Sequence, residues 1–122
     1  MKGDDISDRL VALAVNIIKV VDALPDTLTG KHVAGQLLRS GTSPGANYEE
    51  ARGAESRRDF LHKLGITLKE LQESHYWLRV VAGAPLVGHD ISSVVDEVAA
   101  LCRIIGKSRV TAQSKSRVPH RG

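Results

Sequence analysis

The fold is decided by the longest periodic stretch of the sequence, SRRDFLHKLGITLKELQESHYWLRVVA (residues 56–82). Ser56 and Asp59 stand at its start in the spacing of a helix capping box, and Gly83 and Pro85 follow its end. The stretch therefore predicts a long amphipathic helix at about residues 57–83. Its apolar residues recur at spacings of three and four, as on one helix face: Phe60, Leu61, Leu64, Leu68, Leu71, Leu78 and Ala82.

Three further helices are predicted around this one. The first covers residues 5–24 and ends before Pro25, the second covers residues 30–52, and the last covers residues 90–106. Residues 40–47, SGTSPGAN, have the Gly, Pro and Ser content of a loop, so local rules alone would interrupt the second helix. No segment shows sustained period-two alternation. We therefore predict an all-α protein, an antiparallel up-down four-helix bundle over residues 1–106.

Charge is distributed unevenly in this chain of 122 residues, which is 42% apolar and carries 17 basic and 14 acidic residues. The first 106 residues hold 12 of the basic and all 14 acidic groups. Because residues 107–122 are also poor in apolar side chains, they are predicted to form a basic flexible tail. The basic residues of that tail are Lys107, Arg109, Lys115, Arg117 and Arg121.

Catalytic, metal-binding and membrane-spanning patterns are absent from the sequence. The single cysteine, Cys102, excludes an intrachain disulfide and has an apolar setting typical of an inert thiol. Asp59 and His62 have the spacing of one di-iron ligand pair, but such sites need a second copy and two further Glu residues. We expect no metal, no cofactor and no enzymatic activity, and a cytoplasmic location because no signal peptide or membrane span is evident.

One motif set is specific enough to suggest a family. Gln36-Leu37-Leu38-Arg39, then Ser43, Asn47 and Glu50, then Ser56 to Leu61, resembles the four-helix-bundle family first noticed as reading frames in intervening sequences of bacterial 23S rRNA genes. The family's glycine after Asn-x-x-Glu is Ala51 here. The resemblance implies an up-down bundle whose second helix continues through Pro44, and assembly as a homopentamer.

A related branch, the accessory proteins of diversity-generating retroelements, is similar at the level of the fold. By analogy it adds two expected partners, a nucleic acid and a reverse transcriptase.

The first helix carries an apolar surface too wide for the interior of one bundle. Val11, Val15 and Ile18 extend it, and we predict that they form an oligomer interface. Asn47 and Glu50 share a helix face, where they either lock the connection between the second and third helices or bind a ligand.

Basic residues also recur around that connection. We predict that Arg39, Arg52, Arg57, Arg58 and Lys63, together with the tail, bind RNA or DNA through phosphates without strong sequence specificity. The predicted function is that of a non-catalytic oligomeric accessory protein. The alternative is a protein–protein scaffold with no nucleic-acid role.

Overall fold

The computed structural model describes residues 3–116, which form four helices and no strand. They are α1 (Gly3–Asp22), α2 (Leu28–Arg52), α3 (Arg57–Gly83) and α4 (Ser92–Ser116). Helix α2 packs on both α1 and α3, α3 packs on α4, and α4 makes only a small contact with α1. This arrangement confirms the predicted all-α four-helix bundle.

The core consists of the apolar stripes that the helical spacing predicts. Helix α1 contributes a buried apolar residue at nearly every turn, so its inner face is fully covered. Helix α3 packs extensively on both α2 and α4. The largest of the fully buried side chains are Leu10, Leu13, Ile17, Leu37, Leu64, Leu71, Leu78, Leu101 and Ile105.

Helix α2 is continuous through residues 40–47, where local rules alone predict a loop. Gly41 lies against Ile17 of α1, and a Cβ at this glycine would approach Ile17 Cδ1 to 2.5 Å. On the other side, the buried Ser74 Oγ donates a hydrogen bond of 3.1 Å to Ser40 Oγ. Small residues thus let α2 approach both neighbours closely, and this packing outweighs the hydrogen bond lost at Pro44. The continuous helix implied by the family resemblance is confirmed.

The start of α2 lies two residues before the predicted position. Thr27 is the N-cap, and its Oγ1 accepts a 3.0 Å hydrogen bond from the Gly30 backbone N–H. Gly30 itself packs against the preceding turn, where an added Cβ would lie only 1.9 Å from the Pro25 carbonyl oxygen. The third helix matches the prediction at both ends, and Ser56 Oγ accepts from the Asp59 N–H at 3.0 Å.

Helix α4 differs most from the prediction. It begins at Ser92, after an Asp90 carboxylate that accepts from the Ser92 N–H at 2.9 Å, and it continues ten residues past Gly106. The predicted tail is therefore helical over residues 107–116. Gly106 does not adopt a left-handed conformation that would end the helix. The buried Ala112 provides a tertiary contact that a composition argument misses. Arg117 and Arg121 lie outside the described residues.

Candidate nucleic-acid interface

A groove of about 500 Å³ opens at one end of the bundle, between the beginnings of α1 and α3 and the last turns of α4. We call it the end groove. Three cationic side chains line it together with two hydroxyl groups and four apolar side chains. These residues are Arg57, Lys107, Lys115, Ser108, Thr111, Ile6, Phe60, Ile104 and Ala112.

The geometry of the end groove follows from the length of α4. Residues at spacings of three and four share a helix face, so Ile104, Lys107, Ser108, Thr111 and Lys115 project toward the same side. Had the helix ended at Gly106, most of this wall would not exist. Phe60 comes from the first turn of α3 and packs partly against the core, which fixes the opposite wall.

Five of the predicted nucleic-acid-binding cations lie at this end of the molecule and form no ion pair with an acidic side chain of the described residues. Within residues 3–116, no ion pair involves Arg57, Arg58, Lys107, Arg109 or Lys115. The Arg109 guanidinium lies over Gly65, about 3.5 Å from where a Cβ would stand. Its buried Nε has no hydrogen-bond partner in the described chain. Asp59 lines the same depression as Arg58 and reduces the positive field there, whereas no ion pair neutralises the groove cations Arg57, Lys107 and Lys115 within the described residues.

The other three body cations of the predicted set are paired. Arg39 donates to Glu70 at 2.8 Å and to Glu73, while Lys63 donates to Glu50 at 2.8 Å. The hydrogen bond and the charge of Glu50 raise the pKa of Lys63.

Arg52 is paired in the same way, with Asp4 of α1 at 2.6 Å and Glu49 at 3.7 Å. The hydrogen bond to Asp4 raises the pKa of Arg52. We use the name paired surface collectively for Arg39, Arg52 and Lys63 with these carboxylates, which lie at separate places on the bundle. Because α2 is continuous, Arg39 lies about 20 Å along the helix from Arg52, so the predicted basic residues do not form one patch.

The side chains of Asn47 and Glu50, from the Ser43, Asn47 and Glu50 motif, form separate hydrogen bonds, one within α2 and one to α3. Asn47 Nδ2 donates to the Ser43 carbonyl oxygen at 3.0 Å, one turn earlier in the same helix. Glu50, through Lys63, connects the end of α2 to α3. Ser43 Oγ is buried and has no partner among the described residues. Within the described residues Asn47 and Glu50 do not bond to each other, and it is Glu50 alone that reaches the third helix.

The outer face of α1 is apolar and exposed. Val11 is 59% exposed, Val15 45% and Ile18 41%, and Leu38 of α2 is exposed as well. Val11, Val15 and Ile18 follow one another at spacings of four and three, so they share one face of α1. The structure thus leaves the predicted interface residues accessible.

The remaining groups with possible catalytic or metal-binding chemistry are the Cys102 thiol and the pair Asp59 and His62. Burial raises the pKa of the half-buried Cys102 thiol, which lowers its thiolate fraction and its reactivity. Asp59 and His62 line a shallow depression with Ser56 and Arg58. In residues 3–116 no group of three or more His, Cys, Asp or Glu side chains is placed to hold a metal ion. No helix in the same range has the length and apolar character needed to cross a membrane.

The end groove is not predicted from the sequence, although all three of its cations belong to the predicted nucleic-acid-binding set. The signal was the i, i+4, i+8 series Lys107, Thr111 and Lys115, in phase with the apolar residues Ile104 and Ala112. That series indicates one helix face only if the helix continues beyond Gly106.

Comparisons with known proteins agree with this architecture. A crystal structure of a protein of unknown function from the S23 ribosomal protein family of Bacteroides thetaiotaomicron superposes with a TM-score of 0.81 at 32% sequence identity. The match covers 89% of this chain and 98% of that one. A search of curated proteins gives no significant match. The family model for the 23S rRNA-intervening sequence protein matches residues 4–107. The chain belongs to the 23S rRNA-intervening sequence protein family.

Proposed function

We propose that the protein is a non-catalytic accessory protein that binds RNA or DNA through phosphate contacts at the α3–α4 end of the bundle. The observation that carries this proposal is the separation of cations into two groups. Those of the paired surface are neutralised within the chain, whereas Arg57, Arg58, Lys107, Arg109 and Lys115 have no ion pair within the described residues.

Phosphate contacts supply affinity without reading base sequence. The unpaired cations lie on the first turn of α3 and the last turns of α4, and rigid helices hold them at fixed spacings. We therefore expect affinity to depend on strand length and salt concentration, and little on base sequence.

Binding is tested by fluorescence anisotropy with a 20-nucleotide RNA, the corresponding single-stranded DNA and a duplex, each over a series of NaCl concentrations. Five phosphate contacts give a slope of log affinity against log salt of about −3.5 for single strands and about −4.5 for duplex DNA. Affinity that survives high salt, or no binding at low salt, would contradict the proposal.

We also propose that the protein acts as a homo-oligomer, which the family resemblance suggests is a pentamer, assembled through the apolar face of α1. The support is the exposure of Val11, Val15 and Ile18 in a chain whose core is otherwise well covered. A ring would repeat the unpaired cations around its axis and raise the field that a polyanion meets.

Light scattering on the eluting protein measures the assembly. The parent should have a mass several times 13.2 kDa, and Val15→Asp or Ile18→Asp should dissociate or precipitate it. Leu28→Asp is the matched control, because Leu28 is 89% exposed at the start of another helix. A parent that stays monomeric at micromolar concentration would refute the assembly.

A protein–protein scaffold remains the second candidate, and the same apolar face favours it. A scaffold needs that face but not the unpaired cations. An oligomer that forms normally yet binds no nucleic acid at low salt would support this second function. A reverse transcriptase is one partner to test by co-purification.

A further inference from the structure

We propose that the end groove binds a nucleoside phosphomonoester, the phosphorylated terminal nucleotide of a strand. This inference rests on the proposed nucleic-acid function and adds to it a preference for strand ends. Contact with a strand's backbone needs only surface cations. The end groove instead combines a concavity, three lining cations and four lining apolar side chains.

The charge of the end groove matches a monoester better than a diester. A phosphomonoester carries a charge of about −1.5 to −2 at pH 7, whereas each backbone diester carries one negative charge. Arg57 from α3 and Lys107 and Lys115 from α4 line the same space. The two lysines are separated by eight residues, about 12 Å along the helix axis, which their flexible side chains can span toward one anion. No acidic side chain of residues 3–116 lines the groove.

The hydroxyl groups give a second reason. Ser108 and Thr111 lie between the two lysines on the same face of α4 and can donate hydrogen bonds to phosphate oxygens. Charge-assisted hydrogen bonds of this kind are short and strong. A dianion in the groove would therefore meet donors from two helices.

The apolar part of the groove accounts for the nucleoside. Phe60, Ile104 and Ile6 form a surface suited to a base or a sugar, and an aromatic ring stacks on any base. The volume of about 500 Å³ lies within the range of small-molecule sites, about 300–1,000 Å³. A duplex interior cannot enter such a space, whereas one terminal nucleotide or a free mononucleotide can.

The test compares two RNAs of identical sequence, ten nucleotides long and labelled at the 3′ end, that differ only in a 5′-phosphate or a 5′-hydroxyl. The full chain should bind the phosphorylated RNA about tenfold more tightly at 0.15 M salt, because one terminal group adds charge-assisted hydrogen bonds. A 3′-phosphorylated RNA labelled internally determines which end is preferred. Free AMP should compete, and adenosine should not.

Variants assign the preference to the groove. Thr111→Val keeps the charge and the approximate volume but removes one donor, and Lys115→Gln removes one cation. Both should reduce the tenfold preference to about twofold or less. Arg103→Gln is the matched control, since Arg103 is an exposed cation of α4 that does not line the groove. It should lower the affinity for both RNAs slightly and leave their ratio unchanged. Circular dichroism verifies that each variant keeps its helices.

Failure of this inference is distinguishable from failure of the proposed function. If both RNAs bind equally and with strong salt dependence, terminal recognition is refuted and backbone binding stands. If neither RNA binds, backbone binding is refuted, and an NMR titration with AMP then determines whether the end groove binds a mononucleotide. Chemical-shift changes confined to the groove residues would support the proposed site, and the absence of such changes would overturn it. Displacement of RNA by an acidic peptide as effectively as by AMP would also overturn it.

Discussion

The paired surface and the end groove are both rich in Lys and Arg, yet in the folded chain carboxylates neutralise the cations of the first, whereas the cations of the second form no ion pair within residues 3–116. On the paired surface, each of Arg39, Arg52 and Lys63 reaches a carboxylate of its own or a neighbouring helix. At the end groove, Lys107 and Lys115 belong to residues 98–122, which contain no acidic residue. The number of cations in a segment is therefore a poor guide to an anion site. What matters is where the carboxylates lie after folding.

The largest expected effect comes from removing the unpaired cations. The triple variant Lys107→Gln, Arg109→Gln and Lys115→Gln should lower the salt slope on duplex DNA by up to about 2.7 units and affinity at low salt by on the order of 100-fold. This variant is preferable to a deletion from residue 108, because Ala112 is part of the packed structure. Anisotropy titrations measure both quantities. If the salt slope of this variant equals that of the parent, the unpaired cations do not contact phosphates and the contrast with the paired surface is refuted.

The second prediction is the converse experiment on the paired surface. The triple variant Arg39→Gln, Arg52→Gln and Lys63→Gln removes the same charge, but its cations are already neutralised by carboxylates. We expect the salt slope to change by less than about 0.5 unit and the melting temperature to fall by about 2–6 °C. The melting temperature is measured by thermal unfolding monitored with circular dichroism, and the salt slope by anisotropy titration. If this variant loses binding as strongly as the first, the ion pairs do not shield these cations.

A smaller effect is expected from converting a paired cation into an unpaired one. Glu50→Gln leaves Lys63 without its carboxylate partner while keeping the side-chain shape. Affinity for nucleic acid at low salt should rise about twofold to threefold, with up to about 0.7–0.9 unit added to the slope. Asp96→Gln is the control, since Asp96 is an exposed acid on α4 with no ion pair in the described chain. An equal rise in both variants would indicate a general charge effect.

The smallest effect concerns pH. Glu50 raises the pKa of Lys63 above its ordinary 10.5, so the folded state binds this proton more tightly than the unfolded state. The stabilisation by the pair is fully present below that ordinary value and is lost as pH rises through the raised one. Lys63→Gln should therefore melt below the parent at pH 8, with the difference closing above about pH 10.5. A constant difference across this range would show that the charge of Lys63 contributes nothing.

Residues 40–47 and 107–116 show where local reasoning stops. In the first segment, Gly and Pro indicate a loop, but Gly41 and Ser40 allow close helix packing that keeps α2 continuous. In the second, Ser and Lys indicate a flexible tail, but the buried Ala112 and the contact between Arg109 and Gly65 hold a helix. Both departures from the local pattern have one cause, since a window of sequence contains no information about the neighbour that will cover it.

The sequence by itself determined the class of the fold, because apolar spacings of three and four recur in four segments and specify helices with one buried face. It also determined the N-cap Ser56, whose hydroxyl accepts a hydrogen bond within its own first turn, and the exposed apolar face of α1. Only the tertiary structure decided which cations remain unpaired. Ion pairs such as Arg39 with Glu73 or Arg52 with Asp4 join residues 34 and 48 positions apart, so their formation depends on which helices pack together. The end groove has the same origin, since its walls come from three helices that meet only in the folded bundle.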